Sequence, residues 1–542
     1  MDGFPQKNAL DERSLSWLIL GLLLVALFLQ LGRNTAMMEE ARRGQIALEM
    51  AVNEDYIAPT YFGELYYRKP PVFNWMLLGS FALLGTTDFA LRLVSVLSLL
   101  VMMGGHYAIV RHHASEKVAF FSAIFIALTP TILFWLSILG EIDLFYSALT
   151  YLSIIGFYHL TAHGRWLAAF VLIYGLGAVG LLTKGLPSPV FIAATVGGWT
   201  IYQRAWRRFF SWQHLAGILV FAALAGGYFW LYRQSHSLEV YFATLFNESS
   251  GRTVASQGGN LPLHLVSFPF RILADLAPLS LVGLGLIFDE DLREDLLEDP
   301  LNRFCVLIYA FNILPYFLSP GTKLTYIVML HPLLLIVAVR IWFRAAESRN
   351  WPLRWGRIVF PSLLALVVLG AVTAFFVPDT QMLASLPGLV AGVVFGAVLL
   401  GGLFFWTLRQ RRGTSNHSVW FLQWLAILLI AGRLGFDALV LPARDVTGMH
   451  TRLQQHGIRI AEITAGQPLY LYGDHNEHTF SHMIGFYVTR DRQAVLARND
   501  SVACGAYYIS LRQWVNESEI EVHYTFDNPP HVLHLFQFRD CE

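Results

Sequence analysis

The stretch that decides the fold runs from Thr35 to Gly85 and reads TAMMEEARRGQIALEMAVNEDYIAPTYFGELYYRKPPVFNWMLLGSFALLG. It gathers charged residues directly after a long apolar segment, and about a dozen further apolar segments follow it along the chain. We interpret the apolar segments as membrane helices that hold this stretch at the water interface, where it builds an active site. Its main charged residues are Glu39, Glu40, Arg42, Arg43, Glu49, Arg68 and Lys69.

The composition indicates a membrane protein that crosses the bilayer many times. The chain has 542 residues, of which 55% are hydrophobic and only 14% are charged, whereas soluble domains carry about 25% charged residues. Many of its apolar runs approach the length of about 20 residues that a membrane helix needs. The net charge is zero, so no overall electrostatic field favours nucleic acid as a partner.

The short apolar run 72–85 decides the topology of everything that follows it. It is shorter than the about 20 residues of a span, and the amphipathic stretch 37–52 before it is typical of a helix in the membrane interface. Every second loop between the apolar runs is rich in Arg and Lys. These loops all face the cytoplasm only if 72–85 does not cross the membrane. We therefore expect 72–85 to be a surface or re-entrant helix. The 13 expected spans are near 15–32, 88–110, 118–136, 142–161, 166–183, 186–202, 213–232, 271–288, 304–318, 324–343, 357–377, 388–408 and 419–440.

The predicted fold class is an all-α polytopic membrane protein with a small C-terminal α/β domain. Residues 1–441 form the transmembrane part, with large extracytoplasmic loops at 33–87 and 233–270. Residues 442–542 carry alternating segments such as AYYISL and EVHYTF, which are typical of strands. This topology puts them outside the cytoplasm, where Cys504 and Cys541 could pair, a question that the sequence leaves open.

Polar residues that look out of place for a membrane protein collect on one side of this topology. Ionisable groups at membrane depth are costly and usually mark a site. Carboxylates facing Lys and Arg supply a general base and a cationic clamp, the two parts needed for transfer from a lipid phosphate. The Walker, GxSxG and HExxH patterns are absent from the sequence, so we expect no cofactor. The one-sided residues are Glu39, Glu40, Arg42, Arg68, Lys69, Glu141, Asp143, Lys184, Asn247, Glu248, Arg252, Lys323 and Tyr326.

Each of these residues also has an ordinary structural explanation. The carboxylates stand at helix starts, where they cap the helix or interact favourably with its dipole. The lysines stand near the ends of apolar runs, where long side chains extend toward the headgroups. The functional interpretation rests on their shared side and their order. His112 and His113 are interpreted as loop residues.

The order of the motifs resembles bacterial lipid-linked sugar transferases of the GT-C fold, namely the aminoarabinose transferases that modify lipid A and their protein O-mannosyltransferase relatives. Over residues 10–345, EEARRGQIALEM is followed by GELYYRKPPVFNWMLLGSFALLG and FALRLVSVL. EIDLFYSAL, LLTKGLP, FNESSGR and KLTY then follow in the order of the family elements. The segment after 345 carries no recognisable resemblance.

The resemblance implies a role for several residues. Glu39 corresponds to the family's base or acceptor-orienting carboxylate, with Glu40 as its partner, and Asp143 to the second carboxylate. We expect the substrate-binding residues to include the cations at the same interface. The resemblance assigns Lys69, Arg252 and Tyr326 to the carrier phosphate, and the shared side adds Arg42, Arg68, Lys184 and Lys323.

Two departures from the family pattern matter for the chemistry. Glu39 stands where the family usually has Asp, which lengthens the side chain by one methylene. Arg68 stands where the family often has a Glu that is implicated in metal binding. Because Arg68 would repel a cation, we expect no bound metal and an additional contact to phosphate.

The sequence therefore predicts a multi-pass glycosyltransferase of the bacterial inner membrane that acts on the extracytoplasmic side. It would move a hexosyl or pentosyl group, with inversion, from a polyprenyl-phosphate-linked donor to a lipid A, glycan or protein acceptor. The alternative is a transporter or flippase of lipid-linked sugars, which needs polar groups along a path through the bilayer. An inactive relative that only binds the lipid carrier is a third possibility.

Overall fold

The computed structural model describes residues 12–250, 261–284, 289–348, 351–373, 396, 398–405, 417–443, 448–473 and 479–539. The fold is mostly helical, with a small sheet near the C-terminal end. Two blocks of packed apolar side chains hold it together, one inside the helical bundle and one where the chain after residue 448 meets the first loop.

The helices are numbered along the chain, and residues 398–405 are helical in addition. They are α1 Glu12–Phe28, α2 Met38–Val52, α3 Val72–Leu84, α4 Asp88–Val110, α5 Glu116–Ala127, α6 Pro130–Phe134, α7 Ile142–Ala162, α8 Trp166–Lys184, α9 Pro187–Tyr202, α10 Trp206–Phe209, α11 Trp212–Arg233, α12 Leu238–Ser250, α13 Leu261–Asp275, α14 Glu290–Glu298, α15 Pro300–Phe317, α16 His331–Ser348, α17 Trp351–Thr373, α18 His417–Ala443, α19 Met449–Ile463 and α20 His482–Arg492.

The strands form a hairpin in the first loop and a mixed sheet in the C-terminal part. Strands β1 and β2 pair antiparallel. The five-stranded sheet has the order β4-β3-β5-β7-β6, with β3 parallel to β4 and β5 and the other pairs antiparallel. The strands are β1 Thr60–Tyr61, β2 Glu64–Leu65, β3 Leu469–Leu471, β4 Ala497–Arg498, β5 Tyr507–Leu511, β6 Ile520–Asn528 and β7 His531–Phe538.

The expected number of 13 spans is not confirmed. In the described part of the chain, five helices are long and apolar enough to cross a membrane, or six if α5 and the bent segment after it make one broken span. That pair bends by 44° at Leu128–Thr129, between Ala127 and Pro130, because proline cannot continue the hydrogen bonding of the preceding helix. Most of the predicted run 388–408 lies outside the described residues.

The prediction of a short helix at 72–85 agrees with α3, which has 13 residues. The expected interfacial helix also forms, as α2, but it does not present an exposed polar face. All residues from Glu40 to Met50 are buried. The charged residues within α2 are therefore enclosed by protein, and their charges require partners there.

The C-terminal part is packed onto the first loop and shares its apolar core. Phe486 and Tyr487 of α20 belong to the same buried cluster as Phe73 and Leu91. The Tyr487 hydroxyl accepts a hydrogen bond from the Ala36 amide at 2.9 Å and donates to Asp88. One face of α2 is therefore covered by the C-terminal part and another by α3 and α4.

Candidate active site

A cavity of about 480 Å³ lies where α2, the β1–β2 hairpin, the start of α7, the end of α8 and the segment before α16 meet. Most of the residues singled out from the sequence line it, although they come from segments almost 300 residues apart. The lining residues are Glu39, Arg42, Arg43, Tyr66, Arg68, Lys69, Trp135, Glu141, Ile142, Asp143, Lys184, Lys323, Thr325 and Tyr326.

Glu39 lies in the first turn of α2 and is held by arginines one turn further on. Arg42 donates two hydrogen bonds to its carboxylate, one from Nε to Oε2 at 3.1 Å. Arg43 Nη2 lies 3.8 Å from Oε2. Burial opposes ionisation, but the Arg42 hydrogen bond and the charges of Arg42 and Arg43 outweigh it and lower the pKa of Glu39. Glu39 is therefore an ionised, oriented carboxylate at neutral pH.

Glu40, expected at the site beside Glu39, does not line the cavity. Its side chain is completely buried, and Arg92 of α4 binds both of its oxygens, at 2.6 and 3.0 Å. The amides of Met37 and Gly140 donate to the same carboxylate. Adjacent helix positions point about 100° apart, so only one of two neighbouring glutamates faces the cavity. Glu40 instead ties α2 to α4 and to the turn before α7.

Arg43 lines the cavity, although the sequence analysis did not select it as a site residue. It donates to the Tyr66 hydroxyl at 2.9 Å, and its guanidinium lies over the Tyr66 ring. Its Nη1 is buried and has no hydrogen-bond partner among the described residues. The i,i+4 spacing from Glu39 was the signal that could have identified it.

The β1–β2 hairpin brings Arg68 and Lys69 to the cavity. Phe62 and Gly63 at its tip both have positive φ, of 53° and 76°, which is the backbone geometry of a tight two-residue hairpin turn. The buried carboxylate of Glu49 accepts hydrogen bonds from both tip amides, at 2.8 and 3.1 Å. Pro70–Pro71 then ends the extended segment, and α3 begins at Val72.

Asp143 and Lys184 form an ion pair inside the cavity. Lys184 Nζ lies 2.6 Å from Asp143 Oδ1, and both side chains are nearly buried. The ammonium also lies over the rings of Tyr146 and Tyr326, at 5.1 and 5.2 Å from their centroids. Lys184 therefore points into the protein, and its contact with Asp143 fixes the position of that carboxylate.

Glu141 also lines the cavity, at the N-cap position of α7. The sequence analysis noted it on the same side but assigned it no role. Burial, together with the charges of Asp143, Glu40 and Glu39, raises the pKa of Glu141 to about 8. It is therefore mostly protonated at neutral pH and can donate a hydrogen bond.

Of the remaining predicted residues, some lie at the rim of the cavity and others lie outside the residues that the structure describes. Lys323 is exposed at the rim, and no ion pair is recorded for it in the described ranges. Thr325 and Trp135 line the cavity without any sequence signal that could have identified them. The predicted ligand Arg252 lies outside the described residues, as does Cys541, so the open question of its pairing with Cys504 is not tested.

The cavity carries more positive than negative charge. Six Lys or Arg residues line it against three carboxylates, and one of those carboxylates, Glu141, holds its proton at neutral pH. Such a surface attracts an anion and opposes a metal cation. Chemically, the arrangement can hold a phosphate while Glu39 orients a second reactant beside it.

Comparisons with known proteins support the resemblance seen in the sequence. Residues 68–230 match the family described as dolichyl-phosphate-mannose-protein mannosyltransferase, a range that includes Lys69, Asp143 and Lys184. An uncharacterized protein from Aquifex aeolicus is 27% identical over 55% of this chain and 66% of its own length. An undecaprenyl phosphate-alpha-4-amino-4-deoxy-L-arabinose arabinosyl transferase from Pseudomonas savastanoi pv. phaseolicola is 24% identical over 78% of each chain.

The match to another such transferase, transferase 1 from Pseudomonas fluorescens, is 30% identical but spans only 19% of that protein. The fold is similar to that of a solved structure, ArnT from Cupriavidus metallidurans bound to undecaprenyl phosphate. The TM-score is 0.69 at 18% identity, with 96% of this chain and 97% of that chain covered. The predicted resemblance to the GT-C aminoarabinose transferases is thereby confirmed.

Proposed function

We propose that this protein is an integral-membrane glycosyltransferase that moves a sugar from an undecaprenyl-phosphate-linked donor to a lipid acceptor. The observation that carries the proposal is the excess of cationic side chains in a cavity that also contains an oriented carboxylate. The ArnT structure, which has the same fold, is bound to undecaprenyl phosphate. Several relatives are named as 4-amino-4-deoxy-L-arabinose transferases, and an aminopentose is therefore the first sugar to test.

The reaction takes place on the extracytoplasmic side of the bacterial inner membrane in this proposal. The support is the sequence pattern, in which the loops rich in Arg and Lys fall on the opposite side from the cavity. The transmembrane part ends near residue 441, and residues 442–542 form a domain on the same side as the cavity. Their packing against α2 is consistent with that arrangement.

The donor phosphate is bound by the cations around the cavity. Lys69 and Arg68 approach it from the hairpin, and Lys323 approaches from the opposite rim. Tyr326 donates its hydroxyl, and Arg43 offers its Nη1, which has no hydrogen-bond partner among the described residues. Arg252, which lies outside the described residues, is a further proposed ligand from the sequence pattern. Charge-assisted hydrogen bonds of this kind are stronger than neutral ones, and they stabilise the leaving phosphate as its charge develops.

The transfer is a direct displacement at the anomeric carbon. An acceptor oxygen attacks this carbon and forms the new glycosidic bond. The bond to the donor phosphate oxygen breaks, and its electron pair leaves with undecaprenyl phosphate. A single displacement inverts the configuration at the anomeric carbon. Asp143 and Lys184 are held together beside the reacting centre, where the Asp143 carboxylate stabilises positive charge that develops on the sugar.

The electrostatics of Glu39 favour a phosphate acceptor over a hydroxyl acceptor. A carboxylate whose pKa is lowered by arginines is a weak base, and a sugar or serine hydroxyl needs a stronger base to become nucleophilic. A lipid phosphate is already ionised and needs only to be oriented. We therefore propose that Glu39 holds Arg42 in place and that the Arg42 guanidinium contacts the acceptor phosphate of a lipid A-type glycolipid.

The product of the reaction tests the proposal. The purified protein is reconstituted in vesicles with radiolabelled undecaprenyl phosphate-4-amino-4-deoxy-L-arabinose and lipid A. We expect the label to appear in lipid A and an equal amount of undecaprenyl phosphate to be released. Mass spectrometry of lipid A, envelope glycans and secreted proteins from a deletion strain identifies the acceptor in the cell.

Two results of this experiment contradict the proposal. Intact labelled donor that only changes leaflet, without any labelled product, would support the transporter alternative. The experiment is repeated with hexose-linked donors and with glycan and protein acceptors. If the protein binds the donor but transfers no sugar in any of these combinations, the result would support an inactive relative that only binds the carrier. A labelled glycan or protein would support the glycosyltransferase activity and would show that the acceptor is not lipid A.

A further inference from the structure

Three histidines meet at the far ends of α4 and α7 from the cavity. His113 lies in the turn that follows α4, and His159 and His163 lie in the last turn of α7 and directly after it. His113 Nε2 lies 2.9 Å from His159 Nδ1. The ring centroids of His159 and His163 are 4.5 Å apart, and those of His113 and His163 are 5.6 Å apart.

These three rings lie close enough together to bind one metal ion after their side chains rearrange. Residues four apart on a helix face the same side, so His159 and His163 present their rings together. One ring nitrogen from each of the three histidines lies within 4.8 Å of the other two. The Nδ1 of His163 lies 2.7 Å from the backbone carbonyl of His159. A ligating histidine commonly donates its second nitrogen in this way, which leaves Nε2 available for the ion.

We propose that His113, His159 and His163 form a binding site for a divalent transition metal of the zinc class. Three neutral imidazoles suit Zn²⁺, Co²⁺, Ni²⁺ and Cu²⁺ and offer little to Mg²⁺ or Ca²⁺, which prefer oxygen ligands. Two nitrogens bound to one tetrahedral zinc ion at about 2.0–2.1 Å each lie roughly 3.4 Å apart. His113 and His159 therefore need to separate by only about half an ångström, with water as the fourth ligand.

The site is separate from the proposed glycosyltransferase activity. Helix α7 begins at the cavity with Ile142 and ends at the histidines with Ala162, and its 21 residues span roughly 30 Å. A bound ion would link the turn after α4 to the end of α7, the helix whose other end carries Asp143. This proposal departs from the expectation drawn from the sequence, which was that no metal is bound and that His113 is a loop residue.

Isothermal titration with ZnCl₂ tests the proposal, on purified full-length protein without a polyhistidine tag. We expect one Zn²⁺ per chain, and at least a tenfold weaker affinity for His163→Gln. His163 is exposed, so this substitution leaves the fold intact. His523→Gln, which changes an exposed imidazole on β6, is the matched control and should bind as the wild type does. His159→Gln should weaken binding to a similar extent.

Cobalt gives an independent measurement on the same proteins. Bound Co²⁺ should produce the visible absorption of a four-coordinate nitrogen site in the wild type and in His523→Gln, with much weaker absorption in His163→Gln. Absence of one-to-one binding in the wild type would overturn the proposal. Unchanged zinc affinity in both His163→Gln and His159→Gln would also overturn it, because the ion would then bind elsewhere.

Discussion

At the scale of single residues, the partner of each charged side chain determines what it can do in the cavity. Glu39 and Glu40 are neighbours in the sequence, yet Glu39 faces the cavity with Arg42 whereas Glu40 is fully buried with Arg92. A buried carboxylate whose oxygens are both bound by protein cannot contact a substrate. Under the proposed function the two glutamates have different roles: Glu39 holds Arg42 beside the acceptor, whereas Glu40 attaches α2 to α4.

Replacement of Glu39 by glutamine should lower the rate of sugar transfer by about 100-fold, because the carboxylate that holds Arg42 beside the acceptor is lost and the acceptor is then misplaced. Glu39→Asp should retain part of the activity, since it keeps the carboxylate on a side chain that is one methylene shorter. The initial rate in vesicles measures both. Glu64→Gln changes an exposed carboxylate of the same loop and should leave the rate unchanged. Wild-type activity in Glu39→Gln would remove Glu39 from the site.

Glu141 should make donor binding sensitive to alkaline pH. Its pKa is raised to about 8, first by burial and then by the neighbouring carboxylates. Below that pH the group is neutral. Above it, an added negative charge repels the donor phosphate, so the KM for the donor should rise. The measurement is the KM between pH 6 and 9.5. In Glu141→Gln this rise should disappear, and a rise identical to that of the wild type would contradict the assignment.

At the scale of elements, the site depends on how closely α2 and α20 approach each other. A Cβ atom added at Gly44 would lie 2.6 Å from the ring of Phe486 on α20, and one added at Gly485 would lie 2.6 Å from the side-chain oxygen of Gln45 on α2. Both distances are too short for atoms that are not bonded. Each helix therefore needs a glycine at the crossing, and α2, which carries Glu39, is held in place by the C-terminal part.

Substitution of Gly44 by valine should separate α2 from α20. The expected cost is about 1–3 kcal/mol, as for extra atoms forced into a packed core. Thermal unfolding of the detergent-purified protein measures the effect, and the transfer rate should fall as well. Gly226 in α11 has no atom within 4 Å of an added Cβ, so Gly226→Val is the control. Equal unfolding temperatures for the two variants would mean that this contact does not hold α2.

At the scale of the whole molecule, the sequence pattern predicted the resemblance and most of the cavity but not the packing. Lys69, Asp143 and Lys323 could be grouped because their charge is unusual beside apolar helices and falls on one side. The burial of α2 could not be predicted. Its amphipathic pattern is equally typical of a membrane surface, and nothing local indicates that Phe486 covers Gly44.

The number of spans was also beyond the reach of hydropathy alone. A continuous apolar run does not reveal a break such as the one between α5 and α6, where the chain bends by 44°. In the same way, the run 271–288 begins within α13, which ends at Asp275, and a short 3₁₀ segment follows at Leu279–Leu284. Apolar composition indicates contact with lipid or with the core, whereas helix continuity depends on prolines and on tertiary contacts.

The measurement that tests the central claim most directly compares lysines at opposite ends of the molecule. Lys323 lines the cavity, whereas Lys117 lies at the start of α5 and pairs with Glu12. Transfer from labelled undecaprenyl-phosphate-linked sugar is measured for Lys323→Ala and Lys117→Ala. A lost charge-assisted contact to phosphate costs roughly 1.5–3 kcal/mol, so kcat/KM should fall roughly 10- to 100-fold in Lys323→Ala only. Equal kcat/KM in the two variants would contradict the claim that this cavity holds the donor phosphate.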